Sequence, residues 1–110
     1  MPKRRPQRMS ASPYRIDLGE WKRIVDRAPG RVGPLLKRKI VALSLGPYPQ
    51  SAKELGKPDN MPSGIFRIRV ERWRIVYRVD DELGLVMILK IGEKRGAEFY
   101  EGIVESQTGL

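Results

Sequence analysis

The stretch IFRIRVERWRIVYRV, residues 65–79, constrains this chain more than any other. It alternates charged and apolar residues with period two on both sides of Glu71-Arg72, the signature of two antiparallel strands joined by a two-residue turn. Such a turn sets Val70 opposite Trp73, Arg69 opposite Arg74, Ile68 opposite Ile75, Phe66 opposite Tyr77 and Ile65 opposite Arg78. Successive side chains on a strand point to opposite faces, so Phe66, Ile68, Val70, Trp73, Ile75, Tyr77 and Val79 share one face, which is a core. Arg67, Arg69, Arg74 and Arg78 gather on the other face. Like charges on neighbouring strands destabilise a sheet, and no acid on these strands balances them. A partner of opposite sign is implied.

The rest of the composition agrees with that implication. A formal net charge of +9 over 110 residues attracts polyanions over long range, with nucleic acid the first candidate and an acidic protein segment the second. Lys3, Arg4, Arg5 and Arg8 supply four of those charges. Residues 1–12 lack apolar periodicity and read as a basic flexible arm, with Met9 as an alternative start. The remainder, 13–110, is long enough for one domain with one core and too short for two. Cysteine and histidine are both absent, which removes disulfides, thiolate chemistry, the commonest general base and the commonest metal ligand. No cofactor or metal is expected. No apolar run approaches the roughly 20 residues of a membrane span, and the start lacks the apolar stretch of a secretory signal. A cytoplasmic location is the default.

Along the chain, Tyr14-Arg15-Ile16 reads as a short strand and Asp17 as a helix N-cap. Glu20 stands where a capping box needs it, and Ile16 is placed to staple onto Trp21. A helix is expected from Leu18 to about Arg27, with the stripe Leu18, Trp21, Ile24, Val25 and Ala28, ended by Pro29-Gly30. A second helix starts at Arg31 or Pro34 and runs to Leu45, closed by Gly46. Leu35, Leu36, Ile40, Leu43 and Leu45 make its apolar side, and Lys37, Arg38 and Lys39 its solvated side. Residues 46–64 hold four prolines and read as a long connection with one apolar anchor, Leu55; Lys53 and Lys57 in it are candidates for gripping a polyanion. After the acidic turn Asp80-Asp81-Glu82, residues 85–91 are apolar nearly throughout, as in an interior strand covered on both faces. A charged loop, 92–96, leads to a short helix carrying Phe99, Tyr100, Ile103 and Val104, of which Phe99 packs inward, and then to a frayed tail from Glu105. The sum is an α+β domain: an antiparallel helix pair on a small, mainly antiparallel twisted sheet, with a short C-terminal helix.

Leu55-Gly56, FRIRV at 66–70, WRIVY at 73–77, the run from Ile88 to Gly92 with its following basic pair, and Phe99-Tyr100 resemble, in that order and spacing, the RelE/ParE superfamily of bacterial toxins. The resemblance spans roughly Tyr14 to Ile103. It implies a small toxin of a type II toxin–antitoxin pair, without cofactor or metal, that binds a cognate antitoxin. RelE-like members bind the A site of the 70S ribosome and cut messenger RNA there; ParE-like members inhibit DNA gyrase. On the RelE-like reading the matching catalytic positions are Arg67, Arg69, Arg74, Lys94 and Tyr100, with Arg78, Arg95, Lys53 and Lys57 as further RNA-binding residues.

These residue types suit RNA cleavage without metal. A ribose 2′-hydroxyl can attack the adjacent phosphorus, and the transition state gathers negative charge on oxygens that fixed cations stabilise. Arg74 is the best clamp, because a guanidinium holds two oxygens at once. Tyr100 can stack on a base or orient the scissile group. The resemblance departs at Arg67 and Arg69, where cleaving members usually carry lysines. Arginine is a poor base, so proton transfer falls to Lys94 in preference to Arg95. The two-residue hairpin turn is a second departure. Retention of Tyr100 and the arginines favours the nuclease over the gyrase inhibitor.

Overall fold

A five-stranded sheet carries the molecule, with strand order β1-β5-β4-β3-β2. In chain order the elements are β1 (Arg15–Asp17), α1 (Lys22–Arg27), α2 (Val32–Leu45), β2 (Lys53–Gly56), β3 (Ile65–Val70), β4 (Trp73–Asp80), β5 (Leu85–Glu93) and α3 (Ile103–Ser106). Short 3-10 turns at Gly19–Trp21 and Ala97–Tyr100 precede α1 and α3. This computed structural model describes residues 13–56 and 64–106; the expected basic arm and Lys57 lie outside them. None of the described helices is long and apolar enough to cross a membrane.

The hairpin has the register read from its alternation: Val70 faces Trp73, Arg69 faces Arg74, and so on to Ile65 and Arg78. Glu71 makes the turn at φ 57°, a left-handed conformation that residues other than glycine, Asn and Asp seldom adopt. An ion pair from Arg31, at the start of α2, holds its carboxylate. β4 also pairs antiparallel with β5, and β1 adds to the far side of β5 in parallel. The sheet is thus mainly antiparallel, with β5 interior.

Helices α1 and α2, joined by the turn at 28–31, pack on one face of the sheet. Val25, Leu36, Ile40 and Leu43 meet Phe66, Ile68, Val70, Ile75, Tyr77, Val79, Val86, Ile88 and Ile91 in the main core. Phe66 stacks on Tyr77 with ring centroids 5.8 Å apart, and Tyr48 meets Phe66 edge-on at 5.6 Å. The buried Tyr77 hydroxyl donates to the Pro47 carbonyl at 2.9 Å, tying the connection after α2 to the sheet. Beside it Asp81 accepts from the hydroxyls of Tyr14 and Tyr48 at 2.7 and 2.8 Å.

Several expectations are corrected. Asp17 is not a helix cap: it stays in β1 opposite Met87, and its carboxylate accepts the Gly19 N–H at 3.0 Å. The first helix therefore begins as a 3-10 turn and becomes α-helical only at Lys22. Ile24 and Leu45 do not belong to the core; Leu45 is 74% exposed. The connection 46–64 contains an edge strand, Lys53–Gly56, whose four residues are too few to show an alternation. The strand from Leu85 extends to Glu93 and is sealed on one face only: Val86, Ile88 and Ile91 are buried in the main core, while Met87, Leu89 and Lys90 on the other face are half-covered. The final helix is broken, because Glu101 is extended and Gly102 turns the chain at φ 77°. α3 still includes Glu105 and Ser106, which the sequence assigns to the tail.

A second, smaller cluster lies on the opposite face, where Ile65, Val76, Phe99 and Ile103 are buried with Leu55, Leu89, Tyr100 and Val104 around them. The C-terminal segment is what covers them. Gly92 permits this closeness, since a Cβ there would stand 3.1 Å from the Phe99 ring.

Tyr77→Phe should cost about 1–2 kcal/mol, because it leaves the Pro47 carbonyl without its donor inside the core. Leu83→Ser, at an exposed turn position, should stay within about 0.5 kcal/mol of the parent. Urea unfolding followed by circular dichroism measures both.

Candidate nucleic-acid interface

The strand register arranges the second face in rows. Lys53, Arg67, Val76 and Lys90 stand abreast across β2, β3, β4 and β5. Arg69, Arg74 and Gly92 form the next row toward the hairpin tip, and Ile65, Arg78 and Met87 a row on the other side. Lys53 and Arg67 are thus directly opposed like charges, as are Arg69 and Arg74. Each such pair costs a few tenths to about 1 kcal/mol. Among the described residues the ion pairs are Lys22 and Lys37 with Asp26, Arg31 with Glu71, and Arg95 with Glu93, so none involves these four cations.

The face is not the open row of four arginines expected from the alternation. Val76 is fully buried beneath the C-terminal segment, and it divides the row. Arg67 lies at this divide and is only 8% exposed, with no described hydrogen-bond partner. Arg69 is exposed and Arg74 half-exposed. Arg78 stands roughly 13 Å along β4 from Arg74, at about 3.3 Å per residue. There its Nη2 donates to Met87 Sδ at 3.1 Å, and its Nε is buried without a partner. It belongs to a different part of the surface from the other three.

At the hairpin tip the sheet opens into a cleft of about 620 Å³ lined by Glu71, Arg72, Arg74, Glu93, Lys94 and Arg95. Backbone geometry builds it: the Lys94 N–H donates to the Arg72 carbonyl at 2.9 Å, which brings the end of β5 against the turn. Arg74 is preset there, with Nη1 donating to the carbonyls of Glu71 and Trp73 at 3.0 and 2.9 Å. Its other two nitrogens have no described partner and can hold an anion. Both acids of the cleft are already engaged, Glu71 by Arg31 and Glu93 by Arg95 at 3.2 Å. Arg72, Arg74 and Lys94 are therefore its uncompensated charges. The sequence passes over Arg72, since a turn residue has no strand face to be assigned to, and over Arg31, whose contact is made across 40 residues.

Tyr100 lies on the same sheet face but outside this cleft. It is half-buried, meets Phe99 edge-on at 5.3 Å, and lines a second, more apolar cleft with Leu55, Glu101, Gly102 and Val104. Phe99 packs inward, as the sequence implies, but into the second cluster. Lys53 is exposed at the edge strand beside Arg67. Lys90, which the sequence pattern does not single out, also stands on this face, opposite Val76. Its signal is a lone charged residue within the apolar run 85–91.

The comparisons agree with this architecture. The family described as the ParE toxin of type II toxin–antitoxin systems, parDE, matches residues 18–97. The mRNA interferase toxin RelE of Escherichia coli K12 is 28% identical over 88 residues, which cover 80% of this chain and 85% of that protein. The crystal structure of isolated E. coli RelE superposes with a TM-score of 0.61 at 26% identity, over 86% of this chain and 98% of that one. The toxin–antitoxin complex RelBE of E. coli matches with a TM-score of 0.60 at 26% identity, over 76% and 99% of the two chains. An archaeal RelE–RelB complex from Pyrococcus horikoshii shares the fold at 19% identity and a TM-score of 0.64, over 76% of this chain and 97% of that one. With a family match spanning most of the fold, the chain belongs to the RelE/ParE superfamily and is a toxin of a type II toxin–antitoxin system.

Proposed function

We propose that this toxin is a ribosome-dependent mRNA endonuclease that acts in the cytoplasm and stops translation. The observation that carries the reading is the hairpin-tip cleft, where Arg72, Arg74 and Lys94 converge while both local carboxylates are neutralised by other arginines. Such a site suits a phosphodiester, and the relatives named as mRNA interferases support RNA as its source.

In the proposed reaction the uncharged amine form of Lys94, not its resting ammonium, takes the proton of the ribose 2′-hydroxyl as that oxygen attacks the adjacent phosphorus. The bond from phosphorus to the 5′ oxygen breaks, leaving a 2′,3′-cyclic phosphate and, after proton transfer, a free 5′-hydroxyl. Arg74, fixed by two backbone carbonyls, needs no rearrangement to meet the charge that develops on the phosphoryl oxygens. Arg67 and Arg69 add field and grip along the strand, and Lys53, Arg78 and Arg95 extend the basic surface toward flanking nucleotides. Tyr100 orients or stacks on an unpaired base from the neighbouring cleft. No metal is needed, because the attacking group is the RNA's own hydroxyl.

The match to a family carrying the ParE name favours a second reading, a non-nuclease inhibitor of DNA gyrase. Primer extension on mRNA after brief induction, run beside a supercoiling assay, separates the two. Arg74→Ala should lower ribosome-dependent cleavage about 100- to 1,000-fold and leave the fold intact, since the two freed carbonyls sit in reach of water. Toxicity that survives this change together with inhibited supercoiling would overturn the nuclease. Lys94→Arg keeps the charge and removes the base; cleavage should fall at least about 100-fold while ribosome affinity holds. The complexes of RelE with RelB further support a cognate antitoxin for this chain, with an acidic or amphipathic segment that covers the arginine face or adds to a sheet edge. Co-expression with the neighbouring small open reading frame should yield a stable hetero-oligomer on size exclusion, and the failure of any complex to form would count against it.

A further inference from the structure

Lys90 takes no part in the chemistry proposed above, although it stands mid-sheet on the basic face in line with Lys53 and Arg67. Its ammonium is turned onto a single residue. Nζ donates to the Phe99 carbonyl at 2.7 Å and lies 4.1 Å from the centroid of the Phe99 ring, so one cation holds both the backbone and the ring face. Phe99 is otherwise fixed by its burial against Ile65 and Val76 and by the close approach that Gly92 allows. Its next neighbour is Tyr100, packed edge-on against it with the rings 88° apart. The backbone at this point is a four-residue 3-10 turn followed by an extended Glu101 and a left-handed Gly102. A segment so short does not hold its shape by itself. The place of Tyr100 on the face is therefore set by what anchors Phe99.

We infer that Lys90 is a positioning residue for Tyr100: it pins the turn through the Phe99 carbonyl and ring and so fixes where the tyrosine presents itself to RNA. This rests on the nuclease reading for its consequence, but not for its geometry. An apolar residue at position 90 would fill the strand equally well and leave the Phe99 carbonyl without its donor. An exposed cation whose only use is electrostatic would not be folded back onto a neighbouring backbone.

The test compares Lys90→Met, Lys90→Arg, Lys39→Met, Tyr100→Ala and the double variant of Lys90→Met with Tyr100→Ala. Single-turnover mRNA cleavage is measured on programmed ribosomes at saturating toxin, alongside ribosome affinity. Lys90→Met should slow cleavage about 10- to 100-fold, as a misplaced group does, and Lys90→Arg should recover most of the loss. Lys39→Met removes an exposed charge from α2, on the other side of the sheet, without touching Phe99; it should leave both binding and the saturated rate unchanged. The double variant should be no slower than Tyr100→Ala, because Lys90 acts through that residue. Losses that multiply in the double variant, or an unchanged rate in Lys90→Met, would overturn the inference. Ring resonances of Tyr100 in two-dimensional NMR give an arm that does not depend on cleavage. They should shift in Lys90→Met and return toward the parent in Lys90→Arg, and their failure to move would also overturn it. Should the parent protein leave mRNA uncut on ribosomes, the nuclease reading falls and the NMR arm alone decides the role of Lys90. Lys90→Gln carries the same comparison if Lys90→Met does not fold.

Discussion

The register of the β3–β4 hairpin is the constraint on which the rest of this structure depends. Because strand side chains alternate with period two, a slip of one residue would carry the whole apolar set to the wrong face. The stack of Phe66 on Tyr77 and the pairing of Ile68 with Ile75 lock the observed alignment from the core side. Tyr48 and the Pro47 carbonyl close around that stack and tie down the chain leaving α2. With the register locked, Arg69 must oppose Arg74, whatever the electrostatic cost. Burial of one large apolar side chain contributes roughly 1.5–3 kcal/mol, whereas a like-charge pair on a solvated surface costs under about 1 kcal/mol, so packing prevails.

That imbalance is how a small domain can hold a face suited to a polyanion. The main core supplies most of the stability, which lets the opposite side carry a smaller apolar cluster together with the opposed cations Arg69 and Arg74. The hairpin tip uses the same division more finely. Arg31 and Arg95 occupy the two nearby carboxylates, and the local field at Arg72, Arg74 and Lys94 stays positive. Arg74 is held by main-chain carbonyls, which fix its direction without cancelling its charge.

The C-terminal segment changes the character of this face. Phe99 and Ile103 bury Ile65 and Val76 and split what the alternation alone describes as a continuous row. One side keeps Arg69, Arg74 and the hairpin cleft; the other keeps Arg78, which leans on Met87. Tyr100 arrives with the covering segment and sits in a cleft of its own. A superfamily resemblance names the tyrosine and the arginines together. Their separation into neighbouring clefts on one sheet face goes with the packing of Phe99 into the second cluster, which seats Tyr100 beside Leu55 and Val104.

By itself the sequence determined the hairpin, its pairing and its core face, because period-two alternation over two long strands leaves a single register that buries all the apolar residues. It also determined the two helices and the interior place of β5, since each rests on contiguous residues, and the family, which rests on the order and spacing of short segments. The capping reading of Asp17 failed because the same carboxylate can serve a turn after β1, and the choice depends on β5 lying alongside. β2 was hidden in a proline-rich connection because four residues carry too little pattern, and it becomes a strand only by pairing with β3. The tertiary structure alone decided that Arg67 is buried, that Arg31 reaches Glu71, and that Lys90 folds back onto Phe99. Each of these joins residues far apart in the chain or on different elements. Periodicity reports which face a side chain takes, but only the packed fold determines what comes to rest on that face.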